Sequence, residues 1–361
     1  MQTKIQQELS HKRTRTMIVG NLGYIGPVLI EFLTKNKSET DLIGFDNAYF
    51  YGCLINPFNT TEQMLSLQIY EDVRNVKEEH LKGVDNVIYL AAISNDPMGN
   101  IYEIPTQEIN STAAIKFAEL AKKSGAKRFV YASSCSVYGA GGNEPKNENS
   151  ELNPLTAYAK SKIDFENKIK PLANNDFYIT CLRFATACGA SPRLRLDLVL
   201  NDFVASALLK NKIEILSDGT PWRPLIDVED MCKAIFWAIE RNDISNGSFL
   251  AINIGFNDWN YTIKDLAYAV KHILKNVDIK INPSAAPDKR SYKVDFSLYK
   301  SLAPNNQVHK SIEKTISELI KNIEDSSFIT KDFRNSYLIR LNTLNYLREK
   351  NKLDSKLNWK C

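Results

Sequence analysis

A chain of 361 residues, 43% hydrophobic and 24% charged, holds enough apolar material for one large domain or two coupled ones with a real core. No apolar run approaches the roughly 20 residues of a membrane span, and the polar start MQTKIQQELSHKRTR lacks the apolar centre of a signal peptide, so a cytoplasmic address without a membrane partner is expected. The net charge of +4 is dispersed apart from HKRTR at 11–15, which argues against nucleic acid, and six cysteines with no C-x-x-C pair beside four scattered histidines indicate neither a disulfide framework nor a metal site.

After a polar tail over residues 1–14, the run MIVG predicts a buried strand followed by Gly20, Gly23 and Gly26 and then the helix-like YIGPVLIEFLTKN. A tight turn after such a strand needs one glycine, a backbone approaching a pyrophosphate needs another, and close packing of helix on sheet needs a third. The helix N-terminus, with Tyr24 and Ile25 at its start, would then present free N–H groups to a phosphate-bearing cofactor. The spacing is G-x-x-G-x-x-G rather than G-x-G-x-x-G, so the triplet alone fits an ordinary turn equally well. The next predicted strand, LIGFD, ends in Asp46, twenty positions beyond Gly26. A carboxylate there can accept from both hydroxyls of an adenosine ribose and would repel a 2′-phosphate, which favours NAD over NADP. In EDVRN, Asp72, next to Val73, could accept from the adenine amino group, and Ala91 and Ala92 in NVIYLAAISNDP offer small side chains past which a cofactor could run. Taken singly, these pieces also fit plain loops.

A helix over STAAIKFAELAKK precedes the predicted strand RFVYASS, and NPLTAYAKSK then places Tyr158 and Lys162 four apart on one face at the start of a helix. A phenol with a pKa near ~10 is a poor base at neutral pH, and a lysine ammonium together with a nicotinium charge would lower it. Tyr158 could then exchange a proton with a sugar hydroxyl, held by Ser134, while hydride moves to or from a nicotinamide. A lone Y-x-x-x-K also describes a surface helix face. The strand FYITCLRF completes an alternation that implies a mostly parallel sheet covered on both faces, an α/β dinucleotide-binding unit over 15–185. The pieces KIEIL, DMCKAIFWAIE, FLAINIG and TIKDLAYAVKHIL, within 186–304, predict a smaller second domain with some segments returning to the first. Over 305–361, one stripe of Ile312, Ile316, Leu319 and Ile323 and another of Tyr337, Leu341 and Leu344 predict two helices packed on the body of the chain or on a second subunit.

The motifs GNLGYIG, FD, DVR, LAA, SSCSVYG and YAKSK stand in an order and spacing that resembles the extended short-chain dehydrogenase/reductase family, in its NAD-dependent epimerase/dehydratase group acting on nucleotide sugars. The resemblance covers roughly residues 16–300. It implies a Rossmann-type doubly wound sheet carrying NAD, a smaller C-terminal domain holding a nucleoside-diphosphate sugar, and a homodimer formed through a four-helix bundle. It further implies Tyr158 as acid/base, Lys162 orienting it and bonding the nicotinamide ribose, Ser134 and Ser136 at the sugar hydroxyl, and Asn110 near the active site. LSDGTPWRPLIDVED resembles the stretch whose arginine grips the diphosphate, here Arg223, and APDKRSYKVDFS resembles a later phosphate-binding segment with Arg290 first and Lys289 second. Where many relatives have a substrate-contacting Asn this chain has Thr186, and the basic stretch SPRLRLDLVL adds Arg193 and Arg195 as substrate candidates.

The expected activity is epimerisation at C4 through a transient ketone. A one-way 4-dehydrogenase or 4-ketoreductase would use the same three residues, and a binding protein without turnover would keep the fold. Dehydratases of the group carry Asp-Glu directly before VYG, whereas Cys135-Ser136 stands here, so loss of water is not expected. Cys135 reads as a small buried hydrophobe, with an acid/base role in C3 or C5 epimerisation as the alternative.

Overall fold

The computed structural model describes residues 13–58, 60–140, 142, 144–241, 247–282, 285, 291–326 and 330–360. Its strands in chain order are β1 (Thr14–Val19), β2 (Thr40–Asp46), β3 (Leu67–Tyr70), β4 (Asn86–Tyr89), β5 (Arg128–Ser134), β6 (Tyr178–Phe184), β7 (Thr186–Cys188), β8 (Lys212–Ile215), β9 (Trp222–Asp227), β10 (Phe249–Ile254), β11 (Asn260–Thr262) and β12 (Asp278–Ile281). Seven of them form one sheet in the order β10-β6-β5-β4-β1-β2-β3, every pairing parallel. The chain winds outward from β1 through β2 to β3, crosses back to β4, and then runs through β5 and β6 to β10. That reversal puts a switch point between β1 and β4, where an open parallel sheet leaves a crevice at its carboxyl ends.

Alternation along each central strand supplies two cores. Ile18, Ile88, Val130 and Leu182 face one side and meet Leu29, Ile30 and Leu33 of α1 (Ile25–Asn36). Met17, Val87, Phe129 and Ile179 face the other and meet Ala114, Phe117 and Ala121 of α2 (Ala113–Lys123) and Phe165 and Ile169 of α3 (Ala157–Ile169). The remaining long helices are α4 (Val199–Lys210), α5 (Val228–Glu240), α6 (Ile263–Ile273), α7 (Ile312–Glu324) and α8 (Arg340–Glu349). Two small sheets, β11-β9-β7 and β12-β8, lie beside the main one, while β10 joins it next to β6.

The C-terminal extension packs on the body of its own chain. Ile312, Ile316, Leu319 and Ile323 of α7 enter the first core, and Leu344 of α8 with Leu353 and Leu357 beyond it enter the second. The stripe expected through Tyr337 is corrected: the helix starts only at Arg340, after a turn in which the Leu338 amide donates to Ser336 Oγ, and Tyr337 lies outside it with its hydroxyl donating to the Leu54 carbonyl. Among the described residues no helix is long and apolar enough to cross a membrane.

Candidate active site

A cavity of about 570 Å³ opens at the carboxyl ends of β1, β4 and β5. Gly20 turns with φ +87° directly after β1, and a Cβ there would lie 2.5 Å from the Ala91 nitrogen, so the glycine turn touches the loop after β4. A Cβ at Gly26 would lie 2.0 Å from the Asn21 carbonyl oxygen, which lets α1 begin tight against the turn. Gly23, by contrast, faces the cavity, and a Cβ there would meet only the Gly20 oxygen at 3.2 Å. Two glycines therefore close the turn and one leaves backbone bare at a helix N-terminus, a cradle that fits a dinucleotide pyrophosphate. Tyr24 and Ile25 also line the cavity, the Tyr24 hydroxyl being anchored on the Gly189 carbonyl at 2.7 Å.

Asp46 ends β2 at the cavity wall, its carboxylate accepting from the Leu22 amide (3.0 Å) and the Ala48 amide (2.7 Å). Burial raises its pKa, and each oxygen keeps a lone pair for a ribose hydroxyl. Val73, Ala91 and Ala92 line the cavity as well. Asp72 does not. Its carboxylate accepts from the amide and Nε of Arg74, both at 2.9 Å, and from Nη2 at 2.8 Å, so the group expected at the adenine is engaged by a neighbour two residues on. Asn110 is also drawn away from the wall. It accepts from the Ile93 amide at 2.9 Å and donates to the Ile93 carbonyl and Ser161 Oγ, both at 3.1 Å, bracing the loop after β4 against α3.

Ser134, Tyr158 and Lys162 converge. Ser134 ends β5, where its hydroxyl accepts from the Ser136 amide at 3.1 Å and hydrogen-bonds Tyr158. Tyr158 is held at the start of α3 because Thr156 caps the helix by accepting from the Ala159 amide and donates to Asp96 at 2.7 Å. Lys162, one turn on and 2% exposed, donates to the Ala132 carbonyl at 2.7 Å and lies 5.3 Å from the Tyr158 ring centroid. In the chain alone, Lys162 does not lower the phenol. Burial pushes Tyr158 up to about 12, against the Ser134 hydrogen bond and the Arg195 charge, and pushes Lys162 down to about 7. Desolvation is the largest cause for each group.

Ser136 lines the cavity, and its buried Oγ has no hydrogen-bond partner among the described residues. Cys135 faces the core instead, its thiol donating to the Arg183 carbonyl at 3.0 Å and its pKa raised by burial. Thr186, Arg195 and Arg223 line the wall. Arg195 grips Asp197 through Nε (3.0 Å) and Nη2 (2.9 Å) and donates to Ser94 Oγ at 2.8 Å, while Arg223 donates to the Trp222 carbonyl at 2.9 Å. Arg193 is corrected: fully buried behind the wall, it pairs with Glu62 at 2.6 Å and donates to the carbonyls of Phe50 and Tyr51. Arg290 and Lys289 lie outside the described residues.

Among the wall residues that escape the sequence reading, Asn95, Tyr292 and Arg340 are polar groups facing the ligand space. Asn95 adopts φ +106° and donates to Asp197 at 2.7 Å; the Asn-Asp-Pro run was a legible helix-start signal. Tyr292 and Arg340 also line the cavity, and nothing local in their sequence announces it. Among the described residues no cluster of three or more His, Cys, Asp or Glu could hold a metal ion.

The model of the NAD dependent epimerase/dehydratase family matches residues 16–255. UDP-glucuronic acid decarboxylase 1 of Arabidopsis thaliana is 25% identical over 325 residues, 86% of this chain and 71% of that protein. An uncharacterized UDP-glucose epimerase of Bacillus subtilis is 30% identical over 234 residues, 61% of this chain and 71% of that protein. The solved UDP-glucuronic acid 4-epimerase from Bacillus cereus, in complex with UDP-glucuronic acid and NAD, has a TM-score of 0.74 at 22% identity, covering 86% of this chain and 99% of that one, a likeness of fold.

Proposed function

Because this chain belongs to the NAD dependent epimerase/dehydratase family, we propose that it interconverts the C4 epimers of a nucleoside-diphosphate sugar through a transient 4-keto sugar. The observation that carries the reading is the convergence of Ser134, Tyr158 and Lys162 in one cavity with the glycine cradle and Asp46.

Bound against Gly23 and Asp46, NAD, the family's cofactor, would supply a hydride acceptor for the sugar carbinol carbon and a donor for the return. The chain's own groups handle the proton and the pose. Tyr158 takes the hydroxyl proton as the carbon is oxidised and returns it on reduction, while Ser134 steadies the same oxygen. Lys162, fixed on the Ala132 carbonyl, is placed to hold ribose hydroxyls and to stabilise the phenolate when charged. Arg195 and Arg223 offer the cationic wall that a diphosphate or acidic sugar requires. The named relatives favour a UDP-sugar.

Decarboxylation is the second reading, and the Arabidopsis relative is what favours it. A 4-keto uronic acid is a β-keto acid, so the same first oxidation can lead to loss of carbon dioxide. Dehydration is disfavoured because Cys135 points into the core and Ser136 alone reaches the cavity from the pair before Val137. The test is to incubate the protein and NAD with each member of a C4-epimeric pair of UDP-sugars and follow both by NMR. The same mixture reached from either side is expected. NAD binding without conversion of any nucleotide sugar would instead favour a protein that binds without turnover.

A further inference from the structure

Ile263, Tyr292 and Arg340 of the cavity wall lie beyond the family match, and Arg340 alone of the three comes from the C-terminal extension. Arg340, the first residue of α8, is 2% exposed, and its guanidinium donates to the Arg193 carbonyl at 2.7 Å and to the Tyr337 carbonyl at 3.4 Å. Phe50 lies beneath it, with 5.2 Å between the guanidinium carbon and the ring centroid. Among the described residues it forms no salt bridge, and Asp197, the acid in its field, is already gripped in two places by Arg195. Carbonyl dipoles solvate a buried cation without neutralising it, and a charge left in that state is costly unless an anion arrives.

The rest of the extension fastens the neighbouring wall. Trp359 Nε1 donates to the Asn47 carbonyl at 2.7 Å, the Tyr49 hydroxyl donates to the Leu357 carbonyl, and Arg74 Nη1 donates to the Lys356 carbonyl at 2.7 Å. Asn47, Tyr49 and Phe50 all belong to the loop that follows Asp46, and all three line the cavity. The extension thus straps that loop and places a cation against it.

We propose that Arg340 binds a diphosphate in this cavity, so that the C-terminal extension completes the ligand site. The inference rests on the proposed reading that NAD and a nucleotide sugar share the cavity, and either molecule carries the required diphosphate. A planar guanidinium can bond two phosphate oxygens at once, which a lysine in its place could not reproduce.

The test uses the full-length protein with Arg340→Met and Arg340→Lys. Dissociation constants are measured by calorimetry for NAD and UDP, and by competition for adenosine and uridine, which lack the diphosphate. Arg340→Met is expected to weaken NAD, UDP or both by at least about tenfold while the matching nucleoside is unaffected, and Arg340→Lys to recover part of the loss. A loss confined to NAD identifies the dinucleotide as the source, and a loss confined to UDP identifies the sugar nucleotide. Unchanged affinity for both overturns the proposal, and so does an equal loss for a diphosphate ligand and its nucleoside, the signature of a purely structural arginine. If Arg340→Met does not fold, the same comparison on Arg340→Lys decides, because the retained charge without the fork should still weaken the diphosphate ligands selectively. Failure of the wild type to bind UDP would count against the functional reading, whereas wild-type binding with an indifferent variant would count against this inference alone.

Discussion

Tyr158 sits between opposing influences: burial raises its phenol, and Ser134 and Arg195 lower it. Replacing it with Phe removes the proton carrier and little packing, so turnover should fall ~100-fold or more while NAD still binds. Steady-state rates with calorimetry check this, and near wild-type turnover would require another acid/base. The sign of the Arg195 effect gives a second test. Its positive charge favours the phenolate, so Arg195→Gln should raise the Tyr158 pKa and move the rising, acid-side limb of the pH–rate profile to higher pH. An unmoved limb would show that Asp197 cancels the arginine's field. At the far end of the cavity, the Asp46 carboxylate should make NAD bind at least about tenfold better than NADP, about 1.4 kcal/mol, with Asp46→Asn shrinking the gap. Equal affinities in calorimetry would contradict it.

At the level of elements, the turn from β1 into α1 depends on the bare backbone at Gly26. A methyl group 2.0 Å from the Asn21 carbonyl oxygen forces the helix off the sheet. Gly26→Ala should therefore cost ~1–3 kcal/mol of stability in denaturant titration and weaken NAD, and an unchanged midpoint would refute the packing argument. This element was legible in the sequence because all its parts are local: a strand, three glycines, a helix and an acid at the next strand end. Tyr158 and Lys162 were legible for the same reason, one helical turn carrying both. Residues whose surroundings are assembled from distant chain were not. Arg193 looked like a substrate contact until Glu62, 131 positions away, claimed it, and Arg340 bonds a carbonyl 147 positions earlier. Helical spacing gives the distance from Tyr158 to Lys162 but not the depth of burial, which raises the phenol and lowers the ammonium in the chain alone. The partner of Asp72 was in plain view at Arg74, where carboxylate and guanidinium close a local ring.

Across the whole molecule, distant segments finish what the first half of the chain begins. β10 adds a seventh strand next to β6, and the extension inserts Leu338 into one core and Leu344, Leu353 and Leu357 into the other. Four such side chains at ~2 kcal/mol each rival the ~5–15 kcal/mol of a typical domain's stability. Deleting residues 332–361 should then lower the melting temperature sharply and expose apolar surface to a fluorescent dye, and a wild-type melting curve would show that the extension is dispensable. The central claim concerns chemistry at one carbinol carbon, and mass spectrometry of incubations with NAD and UDP-, GDP-, CDP- and dTDP-sugars in deuterated water tests it most directly. The account predicts that at least one of them yields a C4 epimer, separated from the starting sugar by chromatography before detection, of unchanged mass and with no deuterium fixed on carbon, and the starting sugar alone from every incubation would contradict it. A product lighter by water or carbon dioxide, or carbon-bound deuterium at C3 or C5, would contradict it.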